Sequence, residues 1–177
     1  MAYITVPYDS SVDRSSFSCG EHPELDHYIA KQATQDEKRN VSRTFLLIDN
    51  GQLIGYYTIA NASVLLSDLP EELVKKMPRY PLPAILLSRL AMDQSQQRKG
   101  LGKKLMLDFF QRVYEVSKLS GVAFIVVDAK DRKAADYYVG LGFTASSTGP
   151  LRLVLPVATI IKQFAKQQDQ IPACVSA

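Results

Sequence analysis

Residues 84–107 read AILLSRLAMDQSQQRKGLGKKLML, and this stretch decides the fold. Its first half alternates as a strand does: Ile85, Leu87, Arg89 and Ala91 fall on one face, Leu86, Ser88, Leu90 and Met92 on the other. Its second half opens a helix, because Leu101, Leu105, Phe109, Val113 and Val116 recur at helical spacing. Between them stand Gln97, Arg98, Lys99, Gly100, Leu101 and Gly102. Two glycines at a strand-to-helix turn let the backbone approach a ligand closely, since no Cβ intervenes. The first N–H groups of a helix lack internal partners and carry the positive end of its dipole. A pyrophosphate fits such a turn, and Arg98, Lys99, Lys103 and Lys104 add cationic charge around it. The pattern is neither the dinucleotide G-x-G-x-x-G nor a Walker A loop, which needs Gly-Lys-Ser/Thr. An ordinary helix start with solvated lysines remains the competing reading.

The length of 177 residues suits one domain with a substantial core, set at residues 1–170, with 171–177 expected as a frayed tail. The longest apolar runs are too short to span a membrane. The opening MAYITVPYDSS has no basic start followed by an apolar run, so no signal peptide is expected, and the cytoplasm is the expected compartment. His22 and His27 are the only histidines, and Cys19 and Cys174 form one distant pair without ligand spacing. A metal site or a histidine-based triad is therefore poorly supplied, and no metal is expected. The net charge of +3 permits an RNA partner without demanding one.

Taken in order, residues 3–8 predict an edge strand, where Pro7 is tolerated. Residues 23–39 predict a helix with Leu25, Tyr28, Ile29 and Ala33 as its apolar stripe. Its other face carries Lys31, Gln35, Lys38 and Arg39, which suit solvation or RNA contact. Strands at 44–48 and 53–60 flank Asp49-Asn50-Gly51-Gln52, a strong hairpin signal. Ser67 and Asp68 are expected to cap a short helix over 70–77. The proline-rich run 77–83 reads as a stiff linker, in which Tyr80 either lines a site rim or covers the core. Residues 122–127 predict a strand buried on both faces and parallel to its neighbour, closing a right-handed crossover unit. Asp131 can cap a helix over 132–140, ended by Gly140 to Gly142. Strands at 143–145 and 152–155, with a turn at 146–150, precede an amphipathic helix over 157–167 that buries Ile160, Ile161 and Phe164.

Two motifs carry a resemblance. Q-x-x-G-x-G at Gln97 to Gly102, after a strand ending at Asp93, resembles the acetyl-CoA pyrophosphate loop of the GNAT N-acetyltransferases. Ala134-Ala135-Asp136-Tyr137-Tyr138-Val139-Gly140-Leu141-Gly142-Phe143 resembles the second signature of that family, A-x-x-[FY]-Y-x-x-x-G-F. Cys19-Gly20, Ser42-Arg43-Thr44, Gly55-Tyr56-Tyr57, Arg89 to Asp93 and the ending Leu155-Pro156 are similar to the acetyltransferase toxins of bacterial toxin–antitoxin modules. The resemblance covers nearly all of residues 15–166. It implies an α/β (α+β) chain with the GNAT acyl-CoA N-acyltransferase fold, a mixed, splayed central sheet flanked by helices. It implies acetyl-CoA as co-substrate, aminoacyl-tRNA as acceptor, a translation block, a ribbon-helix-helix antitoxin that brings operator DNA, and a homodimer. Asp131 stands where many members carry asparagine, which puts a side-chain contact from it to the cofactor in doubt.

The roles implied are specific. Leu90, Ala91 and Met92 pair with the pantetheine arm, and a main-chain N–H near Met92 polarises the thioester carbonyl. Gln97, Arg98, Lys99, Gly100, Leu101, Gly102 and Lys103 hold the pyrophosphate, mostly by main chain. Tyr138 supplies the proton to the departing thiolate, since a phenol of pKa about 10 is still protonated at neutral pH. Tyr137 is expected to pack in the core. An α-amino group titrates at about 7.7–8 and its ester lower, so much of the acceptor amine is already neutral. Arg89 has two readings, substrate contact or ion pair, and Lys38, Arg39 and Arg43 are candidate substrate contacts. Lys31, Lys75, Lys76 and Arg79 would join them if tRNA is bound. A GNAT acting on a small amine or a peptide N-terminus, and a non-catalytic module that complexes an antitoxin, are the other readings.

Overall fold

The computed structural model describes residues 2–75 and 77–169. The tail expected over 171–177 and Lys76 lie outside them. The chain forms two compact units, Met1–Ala62 with Ile85–Phe109, and Ser63–Ala84 with Phe110–Ala177. No described helix is long and apolar enough to cross a membrane.

In the first unit the strands run in the order β1 (Val6–Pro7), β2 (Arg43–Asp49), β3 (Gln52–Val64), β4 (Leu82–Met92). β1 pairs antiparallel to β2, and β2 to β3. The β2–β3 turn places Asn50 and Gly51 at φ 49° and 78°, which is why Asn-Gly occupies it. Gly55 on β3 is fixed by its neighbour: a Cβ there would lie 2.6 Å from Met92 Sδ and 3.2 Å from the Ala91 carbonyl oxygen. The predicted helix over 23–39 is present as α1 (Pro23–His27), a π-helical segment (Tyr28–Gln32) and α2 (Ala33–Lys38). Its apolar stripe is buried as expected, packing Leu25, Tyr28, Ile29 and Ala33 with Phe17, Leu46, Leu53, Tyr56 and Ala91.

Helix α4 (Leu101–Leu119) begins in this unit and continues into the other. Asp108, on its buried side, accepts from Ile4 N (2.7 Å), Thr5 N (3.2 Å), Thr5 Oγ1 (2.6 Å) and Tyr57 Oη (2.7 Å). A carboxylate this deep is tolerated because donors surround it. It ties the N-terminal segment and β3 to the helix.

In the second unit β5 (Phe124–Asp128), β7 (Gly149–Pro156) and β6 (Thr144–Ser146) lie in that order, both pairs antiparallel. Phe124 to Val127 are fully buried, as a continuous apolar run requires. α5 (Arg132–Gly140) starts at Asp131, whose Oδ1 accepts from Ala134 N at 2.7 Å. α6 (Val157–Asp169) buries Ile160 and stacks Phe164 on Tyr114 at 5.2 Å, whereas Ile161 is exposed.

Three expectations change here. Ser67 and Asp68 do not cap the helix that follows: α3 is only Glu71–Val74, with Pro70 at its N-cap and no side-chain cap, and Asp68 Oδ2 accepts from Leu65 N (3.3 Å) in the 3₁₀ turn Leu66–Asp68. Their carbonyls instead accept from Ser147 Oγ and from Ser146 Oγ and Ser147 N. The turn expected at 146–150 is a tight hairpin whose strand residues include Ser146, Gly149 and Pro150. Tyr80 is 63% exposed and so does not cover the core.

Candidate active site

The glycine turn is built from its acidic start. Asp93 accepts from Ser95 N (2.9 Å), Ser95 Oγ (2.6 Å) and Ser18 N (3.1 Å), capping a single 3₁₀ turn, Gln94–Gln96. Burial acts to raise the Asp93 carboxyl, but these hydrogen bonds outweigh it and hold it below the ordinary value. Gln94 N donates to Ser18 O at 2.8 Å, so residue 18 is joined to the turn at two points.

Gln97 does not aim its side chain at a ligand. Its Nε2 donates to Cys19 O (2.8 Å) and Met92 O (3.1 Å), pinning the turn to the end of β4. The main chain then takes φ 61° at Arg98 and 78° at Gly100. Left-handed conformations alternating with ordinary ones turn successive N–H groups toward one concavity, an anion-binding arrangement. Arg98 is a non-glycine residue in that region, and strain of this kind gathers at ligand sites.

Gly102 supplies the sharpest observation. Its φ is not positive, and a Cβ added to it would meet nothing within 4 Å. Glycine is poor in a helix, costing roughly 0.5–1 kcal/mol against alanine. The chain's own packing gives no reason for it here, and the space beside Gly102 is open. Lys103 and Lys104 are exposed around it, and Lys99 Nζ is held by Gln96 Oε1 at 3.1 Å.

Upstream on β4, Arg89 lies with its guanidinium carbon 3.5 Å from the centre of the Tyr28 ring, which itself stacks on Tyr56 at 6.4 Å. The ion pair weighed for Arg89 is not what forms; it makes a cation–π stack, with its hydrogen-bonding edge uncommitted to described residues. Tyr56 Oη donates to Leu25 O at 2.8 Å and anchors the ring stack. Lys38 and Arg39 are exposed. Arg43 is engaged, pairing with Glu37 Oε2 (3.0 Å) and Asn40 Oδ1 (2.5 Å) where α2 meets β2.

In the second unit Tyr138 is 7% exposed on α5, edge-on to Phe143 at 5.6 Å and to Tyr137 at 5.4 Å. Burial, helped by Tyr137, pushes its phenol well above the ordinary tyrosine value. No described residue hydrogen-bonds its hydroxyl. Tyr137, expected in the core, is 36% exposed instead. Tyr138 is the enclosed one of the two because α5 turns its Ala135–Tyr138 side inward. The Asp131 carboxylate caps α5, accepting from Ala134 N at 2.7 Å. Lys75 and Arg79 are exposed in this unit.

Residues 10–143 match the family described as the acetyltransferase (GNAT) family. The chain is 39% identical over 143 residues to the tRNA-acetylating toxin of Mycobacterium tuberculosis, covering 81% of this chain and 85% of that protein. The structure of AtaT complexed with acetyl-methionyl-tRNAfMet superposes with a TM-score of 0.82 at 27% identity, covering 90% of this chain and 99% of that one. The structure of AtaTR bound with AcCoA gives 0.78 at 27% identity, covering 92% and 97%.

Proposed function

The chain belongs to the GNAT acetyltransferase family, and from that premise we propose that it transfers acetyl from acetyl-CoA to the α-amino group of aminoacyl-tRNA, as a toxin that blocks translation. The observation that carries the cofactor half of this reading is Gly102, a helix-weakening residue beside open space in a turn of alternating left-handed backbone. The acceptor half is supported by the 39% identity to a tRNA-acetylating toxin.

The main-chain N–H groups of Gln97, Arg98, Lys99, Gly100, Leu101, Gly102 and Lys103 hold the pyrophosphate, with the positive end of α4 behind them. The side chain of Gln97 keeps that turn in place from outside the ligand. Leu90, Ala91 and Met92 pair their main chain with the pantetheine arm, and an N–H near Met92 polarises the thioester carbonyl. The neutral amine forms a bond to the carbonyl carbon, and the carbon–sulfur bond breaks. Tyr138 gives its proton to the thiolate and regains one from the ammonium through water. Its buried phenol keeps the proton throughout the neutral range. Arg89, stacked but with donors to spare, orients the aminoacyl end; Lys38 and Arg39 are the further candidate substrate contacts, and Arg43 contributes charge from its fixed position.

A ribbon-helix-helix antitoxin, operator DNA reached through it, a homodimer and a cytoplasmic setting complete the proposal. These rest on the toxin-like stretches at Ser42 to Thr44, Gly55 to Tyr57 and Arg89 to Asp93. The test is a single assay with labelled acetyl-CoA and total charged tRNA. N-acetyl-aminoacyl-tRNA is the expected product. Label confined to small amines or peptide N-termini would replace this acceptor with the other one considered.

A further inference from the structure

Asp26 on α1 is a half-buried carboxylate that pairs with no cation among the described residues. Both of its oxygens serve one loop: Oδ1 accepts from Cys19 N at 2.8 Å, and Oδ2 from Ser18 Oγ at 3.2 Å. A carboxylate on a main-chain N–H makes a charge-assisted bond, stronger than a neutral one. What this bond holds is on the other side of the loop.

The main-chain groups of Ser18 and Cys19 are all committed. Ser18 N donates to Asp93 Oδ2 (3.1 Å), Ser18 O accepts from Gln94 N (2.8 Å), and Cys19 O accepts from Gln97 Nε2 (2.8 Å). These bonds end in residues 93–97, which open the glycine turn. Only Cys19 N faces the other way, to Asp26. The Ser18 carbonyl and the Cys19 N–H belong to one planar peptide unit. Asp26 grips that plane by its N–H edge, and Gln94 N rests on its carbonyl edge. The plane cannot rotate without breaking both bonds. An anion on the N–H also polarises the amide, which strengthens its carbonyl as an acceptor. The Cys19 thiol, donating to His22 O at 3.2 Å, closes the loop back onto the start of α1.

We infer that Asp26 is a positioning residue for the acetyl-CoA turn: through the Ser18–Cys19 peptide it fixes Gln94 and Gln97, and so orders residues 93–102 before the pyrophosphate arrives. This inference rests on the cofactor reading given above. Binding to a turn already in place avoids the cost of ordering it. Arg98 makes that cost real, because a left-handed non-glycine residue keeps its conformation only where its surroundings fix it.

The test uses the full chain with Asp26→Ala, Asp26→Asn and Asp26→Glu. Asp26→Ala should weaken acetyl-CoA binding on the order of tenfold by calorimetry and raise its KM in parallel, with kcat unchanged. KM for the acceptor should stay, because the Arg89–Tyr28 stack is anchored separately, by Tyr56 Oη on Leu25 O. Asp26→Asn keeps an acceptor for Cys19 N and a partner for Ser18 Oγ, so it should restore most of the affinity. Asp26→Glu keeps the charge but displaces its oxygens by a methylene, so it should bind acetyl-CoA more weakly than Asp26→Asn. Gln97→Ala loosens the same loop from its far side, so combining it with Asp26→Ala should cost less than the product of the two single losses. Hydrogen exchange without ligand reads the turn directly: the Gln94 amide should exchange faster in Asp26→Ala and near the unaltered rate in Asp26→Asn. A lowered Tm with acetyl-CoA affinity and Gln94 exchange unchanged would overturn the positioning role. So would losses that multiply in the double variant, or a glutamate form that binds better than the asparagine one. If the unaltered chain binds no acetyl-CoA, yet Gln94 exchange quickens in Asp26→Ala, the cofactor reading fails and the positioning of the turn stands.

Discussion

Two residues of the proposed mechanism, Tyr138 and Gly102, each make a separate prediction. Tyr138→Phe keeps the ring and loses the proton, so acetyl transfer should fall about 10²–10⁴-fold with acetyl-CoA affinity intact; stopped assays beside cofactor titration read both. Because burial raises the phenol, its acid form outlasts an ordinary tyrosine's as pH climbs. Gly102→Ala should stabilise the free protein by about 0.5–1 kcal/mol and weaken acetyl-CoA binding, a pairing of opposite signs seen by urea titration and calorimetry. If the alanine form bound the cofactor equally well, the open space beside residue 102 would have no ligand to explain it. The glycine turn was legible in sequence because its backbone demand is written in residue type. Arg98 in a left-handed conformation, the inward Gln97 amide and the Arg89–Tyr28 stack were not, since each depends on neighbours far along the chain.

At the scale of elements, Asp108 is the residue that no periodicity singled out. It gathers four donors from two other segments, none of them near it in the chain. Asp108→Ala should cost about 2–4 kcal/mol, measured as a lowered urea midpoint, and should speed hydrogen exchange at Ile4 and Thr5 first. Helix positions were otherwise readable from spacing alone, as α5 and the Asp131 cap show. Errors fell where local signals met distant partners. Ser67 and Asp68 look like caps, but their carbonyls serve Ser146 and Ser147. Gly149 and Pro150 look like a turn and instead begin a strand, where proline is permitted. Tyr137 and Tyr138 differ by one residue, and which of the two is enclosed depends on what α5 packs against.

For the whole molecule, the buried titratable groups set an alkaline limit. Burial pushes the Cys19 thiol from 9.0 up to about 11, and burial also raises Tyr56 and Tyr138. Each is neutral when folded, and the unfolded chain ionises first. Their stabilising effect is complete below about pH 9, and it is lost as pH rises through 9–11 and beyond. Urea midpoints should therefore decline from pH 9 upward, and Cys19→Ala should delay the start of that decline. A midpoint that is flat to pH 11 would contradict this account.

The π-helical segment Tyr28–Gln32 has a consequence for comparing this chain with others. A π turn holds one residue more than the α turn it replaces, so a relative shorter by one amino acid can drop it there without shifting any loop. Gap placement belongs inside those five positions, and the residues on either side then keep their correspondence. Putting the gap in the neighbouring loops would pair Lys31 and Lys38 with the wrong columns and would hide whatever charge pattern the family shares along that helix.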